Sequence, residues 1–257
     1  MNDTVTSKDD YLIPQGRRAG PAMESAWSHF ELARALSDSF TVYLPDRRGR
    51  GRSGPHGPDF IIQKEVEDLD ALLSKTDSHF VMGVSAGAII ALNASLELKA
   101  IYKAIIFEPP LMTENLVSVD WVDRYDKEIS AGKVATALVT GMLGSQMGPP
   151  ALHRMPRWFL IMMSKLMMTL EGSSDGSDGP IPMKVLAPTL HYDVQLILEF
   201  EDKQQDLAAV DRLEKMIPNA KRVEFAGFHH GATGNKNRGG HPETVASEIK
   251  SFLLAQV

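Results

Sequence analysis

The stretch HFVMGVSAGAII, residues 79–90, constrains the fold more than any other part of the chain. An apolar run with strand character ends at Ser85, held between Gly83 and Gly87, and an apolar run with helical character follows at once. Gly-x-Ser-x-Gly at such a seam predicts a sharp strand-to-helix turn that lifts the serine hydroxyl above a sheet, where flanking side chains would collide with neighbouring backbone. The helix that follows aims its positive end at the serine, and the N–H of Ala86 is placed to meet an oxyanion. Small residues around a serine also occur in structural turns. Here the strand before and the helix after supply the context that a nucleophile needs.

The rest of the chain repeats that alternation. Trp27, Phe30, Ala33 and Leu36 share a helical stripe in SAWSHFELARALSD, and Val66, Leu69 and Leu73 share one in QKEVEDLDALLSKT. FTVYLPD (40–46), HFVMGV (79–84), KAIIFE (103–108) and KRVEFA (221–226) read as strands, and PETVASEIKSFLL as a helix with Pro242 in its first turn. Strand–helix alternation predicts an α/β fold: a mostly parallel sheet with helices on both faces. The 257 residues suffice for one domain with one substantial core.

Between residues 113 and 200 the pattern is helical with no convincing strand, which predicts a helical cap inserted above the sheet. MPRWFLIMMSKLMMTL (155–170) is apolar almost all round, so both its faces are expected to be covered. Seven of the thirteen methionines fall between 142 and 168, as suits a deformable lining for a greasy pocket, or equally ordinary core or dimer packing. EGSSDGSDGP (171–180) reads as a surface loop.

Composition removes several functions. A net charge of −6 with no basic stretch argues against a nucleic-acid partner. The absence of cysteine excludes disulfides, thiolate metal sites and a cysteine nucleophile. MNDTVTSKDDYLIP lacks the apolar core of a secretory signal, and Asn2 does not fit the myristoylation pattern. The apolar run 155–170 is too short to span a bilayer and carries Arg157 and Lys165. A cytoplasmic protein without a membrane partner is the expectation.

YLPDRRGRGRSG (43–54) together with GVSAG strongly resembles the α/β-hydrolase superfamily, and more closely a group of microbial, notably fungal, hydrolases. In that group segments like DRRGRGRSGP, EVEDLDALL, GVSAG, EPPL, GKVATALVTGM, APTLHYD and GFHHG occur in this order, and the likeness runs from Ala22 onward. The resemblance implies a serine hydrolase working through an acyl-enzyme on an ester, lactone or thioester of a hydrophobic small molecule. It implies a role in small-molecule metabolism, with fungal secondary metabolism as one setting, and no cofactor or metal. An acyltransferase using the same residues, and a binding protein on an inactive hydrolase scaffold, remain alternatives. A homodimer is left open.

A serine nucleophile needs a base, and the base an orienting acid. The resemblance places the base at His230, with His229 where the family has glycine. With His241 nearby, the two histidines also allow a metal reading, which the spacing supports poorly. His29, His56, His79, His153 and His191 are expected at the surface or satisfied by local partners. Two carboxylates fit the order Ser, acid, His: Glu108, at the end of the strand after the elbow helix, and the alternative Asp193. Leu190, Val194, Ile197 and Leu198 lie three to four apart, which predicts a helix around Asp193 and favours Glu108. Asp193 then reads as a partner for a cap arginine. Arg47, Arg48, Arg50 and Arg52 read as a structural loop whose guanidiniums bind carboxylates and carbonyls, ahead of an anion site.

Two departures from the family pattern stand out. The strand ending in His-Gly that should precede AMESA is replaced by YLIPQGRRAGP, so a strand is expected to be missing. The second oxyanion N–H would then come from Ala22 or Met23. A further strand and its loop are lost where EDKQQDLAAV runs directly into DRLEKMIPNA, which predicts a shortened sheet.

Overall fold

The computed structural model describes residues 17–19, 26–110, 120–145, 151–171, 181–203, 217 and 219–255. Three parallel strands, β1 (Arg17–Ala19), β2 (Phe80–Val84) and β3 (Lys103–Phe107), form a sheet in that order. The register pairs Ala19 with Gly83 and Val84 with Phe107, so the three carboxyl ends lie along one edge. β1 occupies the place where a strand was expected to be missing. Its sequence, Arg-Arg-Ala, has no apolar run to advertise it; it belongs to the sheet through its backbone ladder.

Both faces of the sheet are covered. Met82 and Val84 join Leu32 and Leu36 of α1 (Phe30–Leu36) and Val245 and Ile249 of α9 (Pro242–Leu254), with Ile105 and Phe107 packed against the same cluster. Val81, which points the other way, joins Val66, Leu69 and Leu73 of α2 (Ile62–Thr76) and Ala91 and Ala94 of α3 (Ala86–Glu97), together with Ile106. Strand period two thus sorts alternate residues onto opposite faces, and each fully buried side chain contributes about 1.5–3 kcal/mol. α3 is apolar on all sides because it lies between the sheet, α2 and α8 (Leu190–Lys203).

Two predicted strands are not ladder strands. Phe40, Val42 and Leu44 are buried in strand-like alternation, but the segment makes only an isolated bridge at Tyr43. Residues 221–224 are exposed and form no ladder. Strand propensity is realised only where a neighbouring strand offers its backbone. Among the described residues the sheet ends at β3, whose residues are all only partly buried.

From residue 120 to 203 the described elements are all helical: α4 (Val122–Ser130), α5 (Val134–Gly144), α6 (Arg157–Leu170), α7 (Met183–Leu186) and α8. The buried Tyr125 hydroxyl donates to the Ala187 carbonyl and ties α4 to the turn before α8. The expectation of cover on both faces of the 155–170 helix is corrected. Only Leu160 of α6 is buried, because the principal neighbour of this helix is α5 and its other side faces solvent. The residues 172–180 and 204–216 lie outside the described residues, as does the fused junction expected there. Among the described residues no helix is long and apolar enough to cross a membrane.

Candidate active site

Ser85 is the hinge between β2 and α3, with φ 54° and ψ −127°. A non-glycine residue in this region stores on the order of 1–3 kcal/mol and persists only where its surroundings hold it. Here they do: the Ser85 N–H donates to the Phe107 carbonyl at 3.0 Å, and its carbonyl accepts from the Ala88 N–H at 2.7 Å. Gly83 is required by close approach, since a Cβ there would sit 2.1 Å from the Gly87 carbonyl oxygen and 2.6 Å from Ala88 Cα. Ala86 opens the helix, and first-turn N–H groups have no intrahelical acceptor. That leaves one donor beside the serine, at the positive end of a twelve-residue helix.

Glu108 follows β3 as Ser85 follows β2. Because Val84 pairs with Phe107, the two residues stand side by side beyond adjacent strand ends. Glu108 also has a left-handed backbone, φ 44°. His230 arrives from a sequence distance of 122 residues, at the start of a 3-10 turn spanning His230–Thr233, and its Nδ1 lies 2.5 Å from Glu108 Oε2. Both side chains are about half exposed. Glu108 is the ring's hydrogen-bond partner among the described residues, and the Ser85 hydroxyl makes no hydrogen bond to the imidazole. In unliganded sites such contacts commonly close only when substrate arrives.

One residue that the sequence did not single out holds the histidine loop in place. Asn235 is buried; its N–H donates to the Ser28 carbonyl (2.9 Å) and its Nδ2 to the Trp27 carbonyl (2.8 Å), while its Oδ1 accepts from the Glu31 N–H (2.9 Å). The loop after His230 is thereby fastened to the segment that starts α1. Nothing in ATGN distinguishes this asparagine from an ordinary turn residue.

Asp193, the alternative acid, stands in an ion-pair cluster away from the Glu108–His230 pair. It is fully buried on α8, where Arg47 Nη1 (2.9 Å) and Arg50 Nη2 (2.6 Å) take its two oxygens, and Arg47 also binds Glu65. Burial alone would raise its pKa, but the Arg50 and Arg47 guanidiniums outweigh burial and hold it below the usual carboxylate range. Both oxygens face guanidiniums, and the His230 imidazole bonds Glu108 instead. The arginine loop is built as its residues suggest: Arg48 grips Asp68 and the Lys64 carbonyl, and Arg50 also reaches the Thr189 hydroxyl.

The histidines divide accordingly. His229 Nδ1 accepts from the Gly231 N–H, and the ring of His241 stacks on Phe228, so these two do not converge with His230 on a common centre. His29 meets the Thr233 carbonyl, His79 the Ala100 carbonyl and His191 the Asp126 carboxylate, while His153 is exposed. His56 is the exception. Buried and stacked on Tyr192, its pKa is pushed down to about 4, first by burial and then by Arg50 and Arg47. Ala22 and Met23, the candidates for the second oxyanion donor, lie outside the described residues.

A strained serine at the end of a central parallel strand, with a carboxylate–imidazole pair at the neighbouring strand end, is the arrangement of one large enzyme class. A family model described as the alpha/beta hydrolase family matches residues 16–227. The chain belongs to the α/β-hydrolase family. Among solved structures it is similar to an α/β hydrolase from Sphaerobacter thermophilus, with 22% identity, a TM-score of 0.64, and 94% of this chain and 95% of that one covered. It is also similar to a hydrolase from Pseudomonas aeruginosa, with 17% identity, a TM-score of 0.61, and coverage of 95% and 91%. An enol-lactonase from Burkholderia xenovorans gives 17% identity, a TM-score of 0.60, and coverage of 95% and 96%. At these identities the likeness is one of fold.

Proposed function

We propose that this chain is a serine hydrolase that cleaves an ester, lactone or thioester of a hydrophobic small molecule. The carrying observation is the Glu108–His230 contact, made at the strand end next to Ser85 by residues far apart in sequence. In this reading Ser85 Oγ attacks the carbonyl carbon, and its proton passes to His230 Nε2. Glu108 accepts the Nδ1 proton in a hydrogen bond, which fixes the tautomer and stabilises the imidazolium. The Ala86 N–H, with a second donor from Ala22 or Met23, binds the oxyanion of the tetrahedral intermediate. His230 then protonates the leaving oxygen or sulfur, and the same imidazole activates water to release the acid.

The test is labelling by a fluorophosphonate, read by intact mass. One adduct is expected on the folded wild type and none on Ser85→Ala. A folded wild type that takes no adduct would end the catalytic reading and support a ligand-binding role on this scaffold, a reading favoured by the lack of a Ser85–His230 hydrogen bond. Products formed with and without an added alcohol or amine separate hydrolysis from acyl transfer.

A further inference from the structure

We propose that the outer face of α6 is the contact between two copies of this chain, packed about a two-fold axis. Six of its side chains, Trp158, Met162, Met163, Leu166, Met167 and Leu170, are between 41% and 77% exposed. They fall one turn apart along adjoining stripes of one helix, so they form a continuous surface. A helix this apolar all round belongs in an interior. Yet α6 rests chiefly on α5, and Arg157 fastens its start to Glu128 and Thr140.

With about 200 Å² for a large side chain, these exposures amount to roughly 700 Å² of apolar surface. The largest patch on a typical monomer is about 300–600 Å². Two such faces together would bury at most about 1,400 Å², which reaches into the range of ~1,200–2,000 Å² for stable, specific contacts.

Self-association also fits the chemistry of the face. A two-fold contact places one patch against itself, so the patch must be its own complement. An apolar surface interrupted by a single charge, Lys165, satisfies that without any partner of opposite sign. A lipid surface is a poorer match. Helices that lie in membranes carry several lysines and arginines along a polar rim, whereas α6 has only Arg157, engaged by Glu128, and Lys165.

The experiment is sedimentation velocity on the full chain over a micromolar concentration series. A species of twice the 28.3 kDa chain mass, dissociating on dilution, is expected. The double variant Met162→Lys/Leu166→Lys should weaken it by at least about tenfold. Leu254→Lys, on the exposed end of α9, should not. Because the chain has no cysteine, Met163→Cys in mid-helix supplies a single thiol, and a long, flexible bis-maleimide should link two copies through it. A wild type that stays monomeric throughout would overturn the proposal, whether or not it co-sediments with phosphatidylcholine–phosphatidylglycerol vesicles. So would a dimer indifferent to the double substitution, or one that Met163→Cys fails to link.

Discussion

Asp193→Asn and Glu108→Gln should fail in opposite ways. Asp193 neutralises two guanidiniums inside the protein, at 2.9 Å from Arg47 and 2.6 Å from Arg50. Asparagine keeps the shape and removes the charge. Arg47 retains Glu65, whereas Arg50 loses its carboxylate while buried. Breaking such a pair from one side costs about 3–5 kcal/mol. At roughly 2–4 °C per kcal/mol for a domain of this size, the melt should fall by about 6–20 °C. Glu108 is half exposed, and an exposed ion pair is worth at most about 1 kcal/mol, so Glu108→Gln should barely move the melt. It should instead slow reaction at Ser85 by about 10³–10⁴, because glutamine can present its amide donor to the imidazole and favour the wrong tautomer. The assay pairs a thermal melt with the rate of fluorophosphonate labelling, measured well below each midpoint. Wild-type labelling by Glu108→Gln, or a wild-type melt with slow labelling in Asp193→Asn, would refute the assignment of the two carboxylates.

Acid should destabilise the protein through His56. Its folded pKa of about 4 lies below the ~6.5 of an unfolded histidine, so the unfolded chain binds the extra proton. Stability is therefore full above about pH 6.5 and lost as pH falls towards 4, by up to about 3 kcal/mol. His56→Phe, which preserves the stack on Tyr192, should flatten this limb of a melting-temperature–pH curve. Asn235→Ala should cost about 1–3 kcal/mol through the backbone groups it leaves unpaired, and slow labelling of Ser85 beyond what a matched loss of stability elsewhere produces. Asn235→Asp, which keeps the acceptor for the Glu31 N–H, should recover part of the rate, and equal rates for the two variants would remove Asn235 from the positioning of His230.

How far the sequence could be read followed from how local each cause is. The β2–Ser85–α3 seam was legible because its determinants, a hydrophobic run, two glycines and a helical period, lie within twelve residues. The helix carrying Asp193 was legible from the spacing of Leu190, Val194 and Ile197, and that helix is why Asp193 turns to Arg47 and Arg50. Residues 40–46 and 221–226 carry strand residues, but whether they become strands depends on a neighbour elsewhere in the chain. β1 reverses that lesson: Arg17–Ala19 has no strand signature and pairs because β2 presents a free edge. The bare face of α6 was illegible for a similar reason, since periodicity reports how apolar a helix is and says nothing of how many neighbours it meets. Asn235 acts through long-range backbone contacts that leave no pattern around it.

The left-handed backbones of Ser85 and Glu108 also limit how this scaffold can diverge. A β-branched residue at positive φ clashes with its own backbone. Threonine, the nearest hydroxyl in chemical terms, is therefore shut out of position 85, while cysteine, close to serine in shape, fits the turn. At position 108 aspartate tolerates such a backbone better than glutamate does. It is shorter by one carbon–carbon bond, about 1.5 Å, and would draw back from His230 unless the strand end advanced. Drift at this site is thus channelled: the attacking atom can pass from oxygen to sulfur within one side-chain shape, whereas a change of acid must wait for the chain around it to move.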